Sequence, residues 1–255
     1  FYEILTLSKF PLVTHHGTEE ARNAGRIYLG ILISTSICFL LFAIVWTWNL
    51  AGTLDFRPGG ILAGTADDFS LVVLFGLFAF GTGKAALMPF HRWLPAAMVA
   101  PTPVSALLHA VAVVKAGVFT ILKVSIYIFG LPTLMTAASW VVYPAAFTIV
   151  VASLVAMFKD NLKARLAYST ISQLSYIVLG AALGTQTALL GGGLHIVMHA
   201  LGKITLFFCA GAIYVAAHKT EISDMRGIGR QMPITTAAFL IGSLSVIGLP
   251  PLGGQ

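Results

Sequence analysis

Charge is what this chain has least of. Only 9% of its 255 residues are Asp, Glu, Lys or Arg, against 58% apolar, and the mean hydropathy is +0.91. An ordinary soluble domain carries about 25% charged residues, so this balance excludes one and describes a chain whose solvent is lipid. Cysteine is nearly missing too. Cys38 and Cys209 both sit in apolar stretches without C-x-x-C spacing, which excludes a disulfide framework and a zinc site and leaves them as packing residues. Also missing are a P-loop, a G-x-G-x-x-G turn after a strand and an H-E-x-x-H pair. Gly81-Thr82-Gly83-Lys84 has the flavour of a phosphate loop but lacks its leading glycine spacing and a following Ser or Thr. No active site, cofactor or metal of the chain's own is expected, and nothing suggests nucleic acid as a partner.

What is present is apolar sequence in lengths of about 20 residues, the spanning unit of a bilayer. Such runs cover roughly 27–49, 69–88, 102–129, 134–158, 165–184, 187–217 and 233–249, with a stub at 1–10. They are continuously apolar rather than alternating, so helices and not barrel strands are predicted: an all-α polytopic bundle. The chain opens on Phe1-Tyr2-Glu3 without Met or signal peptide and stops at Gly253-Gly254-Gln255. The expectation is a single transmembrane domain, residues 1–255, cut from a larger membrane protein. Connections 9–26, 89–101, 159–165 and 218–232 hold ten Lys and Arg, whereas the alternate connections hold one, Arg57. That is the positive-inside pattern, and it accounts for most of the net charge of +6.

The remaining four basic residues, Lys84, Lys115, Lys123 and Lys203, lie inside apolar runs, as does one acid, Glu3. Ionisable groups at that depth are costly and mark ion or proton paths. An isolated carboxylate among buried lysines is expected to pair with one of them, and Lys84 is the partner expected for Glu3. Lys123 lies nearer a helix end and reads as a snorkelling residue. Pro89 closes the second full span, with Pro95, Pro101 and Pro103 behind it, so 81–103 cannot be one regular helix. Pro89 would free the carbonyl of Ala85 beside Lys84; the alternative is a kink used only for packing. Pro250 ends the last span in a similar way. His195, His199 and Lys203 stand four residues apart and share one helix face, a polar ladder about 12 Å long beside Gly191-Gly192-Gly193 and Gly202. Histidine titrates near neutral pH, so the ladder, with His109 and Lys115 of another span, could pass protons. Two other readings stay open: a haem held between His109 and His195 or His199, and a scaffold whose polar groups satisfy only one another.

Gly81 to Lys84, Pro89-Phe90-His91-Arg92-Trp93-Leu94-Pro95 and Pro101 to His109 resemble the core signature of antiporter-like proton-translocating subunits. Those subunits occur in respiratory complex I, Mrp-type multisubunit Na⁺/H⁺ antiporters and membrane-bound hydrogenases. Leu166 to Leu174 and His195 to Lys203 resemble two further blocks of that family in the same order. The resemblance implies a bundle with broken helices, part of a larger inverted-repeat fold. It implies proton translocation with Na⁺ coupling left open, other integral membrane subunits as partners, and a bacterial cytoplasmic membrane as location. It also allows a place in a redox-driven translocase of the NADH:quinone oxidoreductase kind. It puts Glu3 on the family's fifth-helix glutamate and Lys84 on its broken-helix lysine. His109, Lys115, His195, His199 and Lys203 fall on proton-path positions. This chain departs from the pattern at Asn161-Leu162-Lys163-Ala164, where the family has Asp-Leu-Lys-Arg, and at Ala96, where an acid is usual. Phe1-Tyr2-Glu3 and the position of Lys115 lean towards the Mrp D-type relatives.

Overall fold

The computed structural model describes residues 2–249, nearly all helical, and among these residues the only β pairing is an isolated bridge between Asn161 and Glu221. The helices are α1 (Tyr2–Val13), α2 (Glu19–Ala51), α3 (Asp68–Gly81), α4 (102–129), α5 (130–158), α6 (Leu162–Leu183), α7 (Gln186–Ala217) and α8 (Pro233–Ile247). Pro250 lies outside the described residues. Four helical stretches, Glu19–Ala51, Thr102–Phe158, Leu162–Leu183 and Gln186–Ala217, are long and apolar enough to cross a membrane, while α3 and α8 are shorter apolar helices.

The 57 residues of Thr102–Phe158 would reach about 85 Å if straight, far beyond a hydrocarbon core of about 30 Å. The chain bends inside that stretch at Gly130, whose φ of +73° and ψ of 156° are not helical. Only glycine fits, because a Cβ there would run into the backbone of Gly59.

Local chemistry sets most of the helix ends. Thr18, Asp67, Asn161 and Thr185 each accept a backbone N–H three residues on, starting α2, α3, α6 and α7. Gly52, Gly184, His218 and Gly248 close α2, α6, α7 and α8 in the left-handed conformation. The bundle's outside is apolar where a soluble protein would be charged: Phe158 is 85% exposed and Val215 74%. Such a surface is stable against lipid or against another membrane subunit.

The basic connections gather at one end. Lys163 donates to the carbonyls of Met98 and Ala100, and one cavity is shared by His16, Met98, Lys163 and Lys219. At the other end Arg57, Ile61 and Leu62 donate to carbonyls of Tyr127 and Ile128.

The basic end is fastened by Asp160, whose carboxylate accepts from the Ser223 hydroxyl at 2.6 Å and the Ser223 N–H at 3.0 Å. Those two bonds hold the Asp160 carboxyl below the usual carboxylate range. A lowered value means the clasp is fully formed above the ordinary pKa of about 4 and is lost as pH falls through the lowered one. Asp160→Asn is expected to loosen the 218–227 loop at neutral pH. Limited proteolysis from the side of the basic connections would show this, the wild-type loop becoming equally sensitive only in acid.

Candidate functional site

The break before Lys84 arises earlier than the prolines suggest. α3 stops at Gly81, Gly83–Ala85 forms a single 3₁₀ turn, and Ala86 is left-handed with φ 56°. The apolar run to residue 88 therefore does not continue as helix, and Pro89 follows the break instead of making it. The expected freeing of the Ala85 carbonyl by Pro89 loses its premise, because no α-helix passes through Ala85. Pro95 sits in the single helical turn Trp93–Ala96, where its missing N–H would have no helical partner anyway. Trp93 is fully buried and donates its indole N–H to the Gly83 carbonyl at 3.0 Å, fixing the broken segment from behind.

Lys84 is completely buried and points at α1. Its Nζ lies 3.1 Å from Glu3 Oε1 and 3.2 Å from the centroid of the Tyr2 ring, while its backbone N–H donates to the Tyr2 hydroxyl. The same Glu3 oxygen accepts the Ser36 hydroxyl at 2.5 Å. Ser36 begins a π-helical turn, Ser36–Leu41, that widens α2. Such turns displace side chains from regular helical positions and concentrate at functional sites. Glu3 Oε2 has no protein partner among the described residues. The pair thus combines an ion contact and a cation–π contact at the buried ammonium with a hydroxyl donor at the carboxylate.

A second cluster lies where α4 meets α7. Lys115 Nζ and His199 Nδ1 share a hydrogen bond of 2.5 Å, and His199 Nε2 has no protein partner among the described residues. One turn along α7, His195 donates from Nε2 to Gln173 Oε1 at 2.8 Å, with ring centroids of His195 and His199 6.0 Å apart. Lys203, fully buried, donates to the Leu166 carbonyl at 3.2 Å and the Ser169 hydroxyl at 2.8 Å. α6 therefore supplies the partners for both ends of the ladder.

His109 lies apart from Lys115. It occupies the π-turn Leu107–Val111, and the following Ala112 is bent away from regular helix, so its ring stacks 5.2 Å from Phe207. Both of its ring nitrogens are buried without protein partners among the described residues. Of the three histidines weighed for a haem, His199 meets Lys115, His195 meets Gln173, and His109 lies against Phe207. Lys123 places its ammonium 4.0 Å from the Phe56 ring centroid, near the end opposite the basic loops.

The two clusters are neighbours through Gly117. A Cβ on Gly117 would collide with the backbone of Lys84 and Ala85, so α4 and the broken segment touch two residues from Lys115. Tyr2, Ser36, Gln173, Ser169 and Trp93 are members of the site that charge bookkeeping does not reveal. Gln173 and Ser169 lie within the Leu166 to Leu174 block, a signal that they matter though not of how.

Comparison with known proteins adds the following. Residues 1–255 match the family described as NADH:quinone oxidoreductase/Mrp antiporter, TM. The chain is 34% identical over 231 residues to NAD(P)H-quinone oxidoreductase chain 5 of Synechocystis sp., covering 84% of this chain and 33% of that protein. It is 35% identical over 262 residues to NADH-quinone oxidoreductase subunit N of Desulforudis audaxviator, covering 100% of this chain and 51% of the relative. Among solved structures, the Mrp complex from Dietzia sp. superposes with a TM-score of 0.82 at 35% identity, covering 99% of this chain and 28% of the matched one. The archaeal membrane-bound sulfane sulfur reductase gives a TM-score of 0.82 at 30% identity, covering 98% and 51%. The chain thus spans about half, or less, of the length of these proteins.

Proposed function

The chain belongs to the NADH:quinone oxidoreductase/Mrp antiporter transmembrane family, and from that premise we propose that it carries protons across an energy-transducing membrane as one subunit of a multisubunit complex. The observation that bears most weight is the Glu3–Lys84 pair, one ammonium wholly removed from water and held by a single carboxylate oxygen. An ammonium in that position keeps its proton while the carboxylate is near and favours release when the carboxylate swings away. One pKa unit is about 1.4 kcal/mol, and one charge crossing 100 mV involves about 2.3 kcal/mol. Opening the pair therefore needs to change the proton affinity of Lys84 by only about two units to work against such a potential.

Protons released at Lys84 would pass along the α4 contact to Lys115, then His199, with His195 and Lys203 on either side of it. H⁺ suits such a path better than Na⁺, because amines and imidazoles hand on protons while their positive charge repels a metal cation. The partners proposed are the other membrane subunits of a quinone-oxidoreductase or Mrp-type assembly, and a bacterial cytoplasmic membrane is the setting that fits the basic loops.

The test is proton transport by the assembled complex in sealed vesicles carrying Lys84→Met or Lys203→Met. Both are expected to insert and assemble while losing nearly all pH-gradient formation. Full transport in both would reduce the chain to a scaffold.

A further inference from the structure

A proton relay needs water at its basic end, and a cavity is present there. A cavity of about 590 Å³ lies there between the start of α4, the start of α6 and the last turns of α7, lined by Ala100, Thr102, Lys163, Gly211, Tyr214 and Lys219, among others. Lys163 lies in the first turn of α6, not in the preceding connection as the sequence suggests. Its side chain is half-buried, and its Nζ donates to Met98 O at 3.3 Å and Ala100 O at 2.9 Å. No carboxylate pairs with it among the described residues. With two N–H groups spent on carbonyls, the third remains for the cavity.

Its place in the row is informative. α6 and α7 run antiparallel, since Gln173 meets His195 while Leu166 and Ser169 meet Lys203. Lys163, about one turn before Leu166, therefore continues the row past Lys203 towards the basic surface. In that antiparallel register Phe207, one turn beyond Lys203 on α7, is level with Lys163, and His109 packs on its ring. His109 has two buried nitrogens without protein partners among the described residues. A fully buried imidazole with nothing to bond is an arrangement proteins rarely keep unless it exchanges protons or holds water.

We propose that Lys163 is the proton-uptake residue on the cytoplasmic side, loading from water in this cavity and delivering to His109, which passes the proton to Lys203. The step balances simply. The ammonium of Lys163 releases one proton and becomes an amine, a ring nitrogen of His109 accepts it and becomes imidazolium, and cytoplasmic water reprotonates the amine. The two carbonyls fix the amine at the mouth in either state. This inference rests on the proton-transport reading and extends it to a residue outside the buried line.

Two variants separate proton exchange from mere charge. Lys163→Arg keeps positive charge and donors for both carbonyls but cannot release its proton at accessible pH. It is expected to assemble and to transport at least tenfold more slowly in sealed vesicles, whereas Lys163→His, which can exchange protons, recovers a substantial share. Wild-type rates in Lys163→Arg overturn the proposal. Lys203→Met, measured alongside, tells its failure from failure of the relay. If Lys203→Met is inactive and Lys163→Arg is normal, only the uptake site falls; if both are normal, the relay falls and the uptake site with it. Hydration of the mouth is checked in a Lys163→Cys chain with Cys38 and Cys209 replaced by alanine. A membrane-impermeant maleimide applied from the cytoplasmic face is expected to label it, and no labelling from that face would also overturn the assignment.

Discussion

Glu3→Gln in the assembled complex is expected to cut proton transport by more than tenfold and to destabilise the subunit by about 3 kcal/mol, and adding Lys84→Met should restore stability without restoring transport. Buried charge is asymmetric in its cost. Removing one partner of a buried pair strands the other in low dielectric, which costs about 3–5 kcal/mol, whereas replacing both with apolar groups is often neutral. The lower end applies here because the Glu3 side chain is 35% exposed while that of Lys84 is 0% exposed. The Tyr2 ring remains as a partial substitute for the lost carboxylate, giving about 1–2 kcal/mol for a desolvated cation. Ser36 is left beside an amide that can still accept its hydroxyl, so the loss falls mainly on Lys84. Thermal unfolding in detergent reads the stability arm and vesicle acidification reads the transport arm. If the double variant is no more stable than Glu3→Gln alone, the two groups are not energetically coupled, and the pair cannot be the element that stores and releases the proton.

How far the sequence reveals this site differs from group to group. Counting makes Glu3 the partner of some buried lysine, since the apolar runs hold a single carboxylate, but does not choose among the four; the structure puts Lys84 there, at 3.1 Å. The ladder His195, His199, Lys203 follows from helical spacing and lies along α7. What spacing cannot supply is the side to which a distorted helix turns its residues. His109 and Lys115 belong to one apolar run and read as successive stations, yet a π-turn and the bend at Ala112 separate them, sending His109 to Phe207 and Lys115 to His199. Ser36 is hidden for the same reason: a serine in an apolar helix reads as packing unless the π-turn that aims it is known. The break near Lys84 is attributed to prolines because their effect on helices is large, while Gly81 and Gly83 carry the earlier signal. Glycine weakens a helix by about 1 kcal/mol, enough to decide where a helix stops only when tertiary contacts agree. Here they do, as Leu40 and Thr35 of α2 press against these two glycines.

Gly117→Ala is expected to damage packing and transport together. Alanine is the better helix former by about 1 kcal/mol, so propensity alone forecasts a more stable α4. Packing outweighs it. A methyl at Gly117 would stand 2.9 Å from Lys84 Cβ and closer still to Lys84 C and Ala85 N, and backbone atoms cannot rotate aside as a side-chain tip can. Overpacking of this kind costs about 1–3 kcal/mol, and relief requires moving the Gly83–Ala85 turn away from α4. That turn carries Lys84, and Trp93 pins its other side through the Gly83 carbonyl, so displacement is resolved by changing the Lys84 to Glu3 distance. Transport is therefore expected to fall by tenfold or more, about 1.4 kcal/mol of barrier, together with a lower unfolding temperature. Gly193→Ala on α7 is the matched control, because nothing lies within 4 Å of its added methyl; it should transport normally and melt no lower than wild type. A Gly117→Ala subunit that behaves like that control would mean that α4 and the broken segment are not in contact, and with that contact would go the route from Lys84 to Lys115.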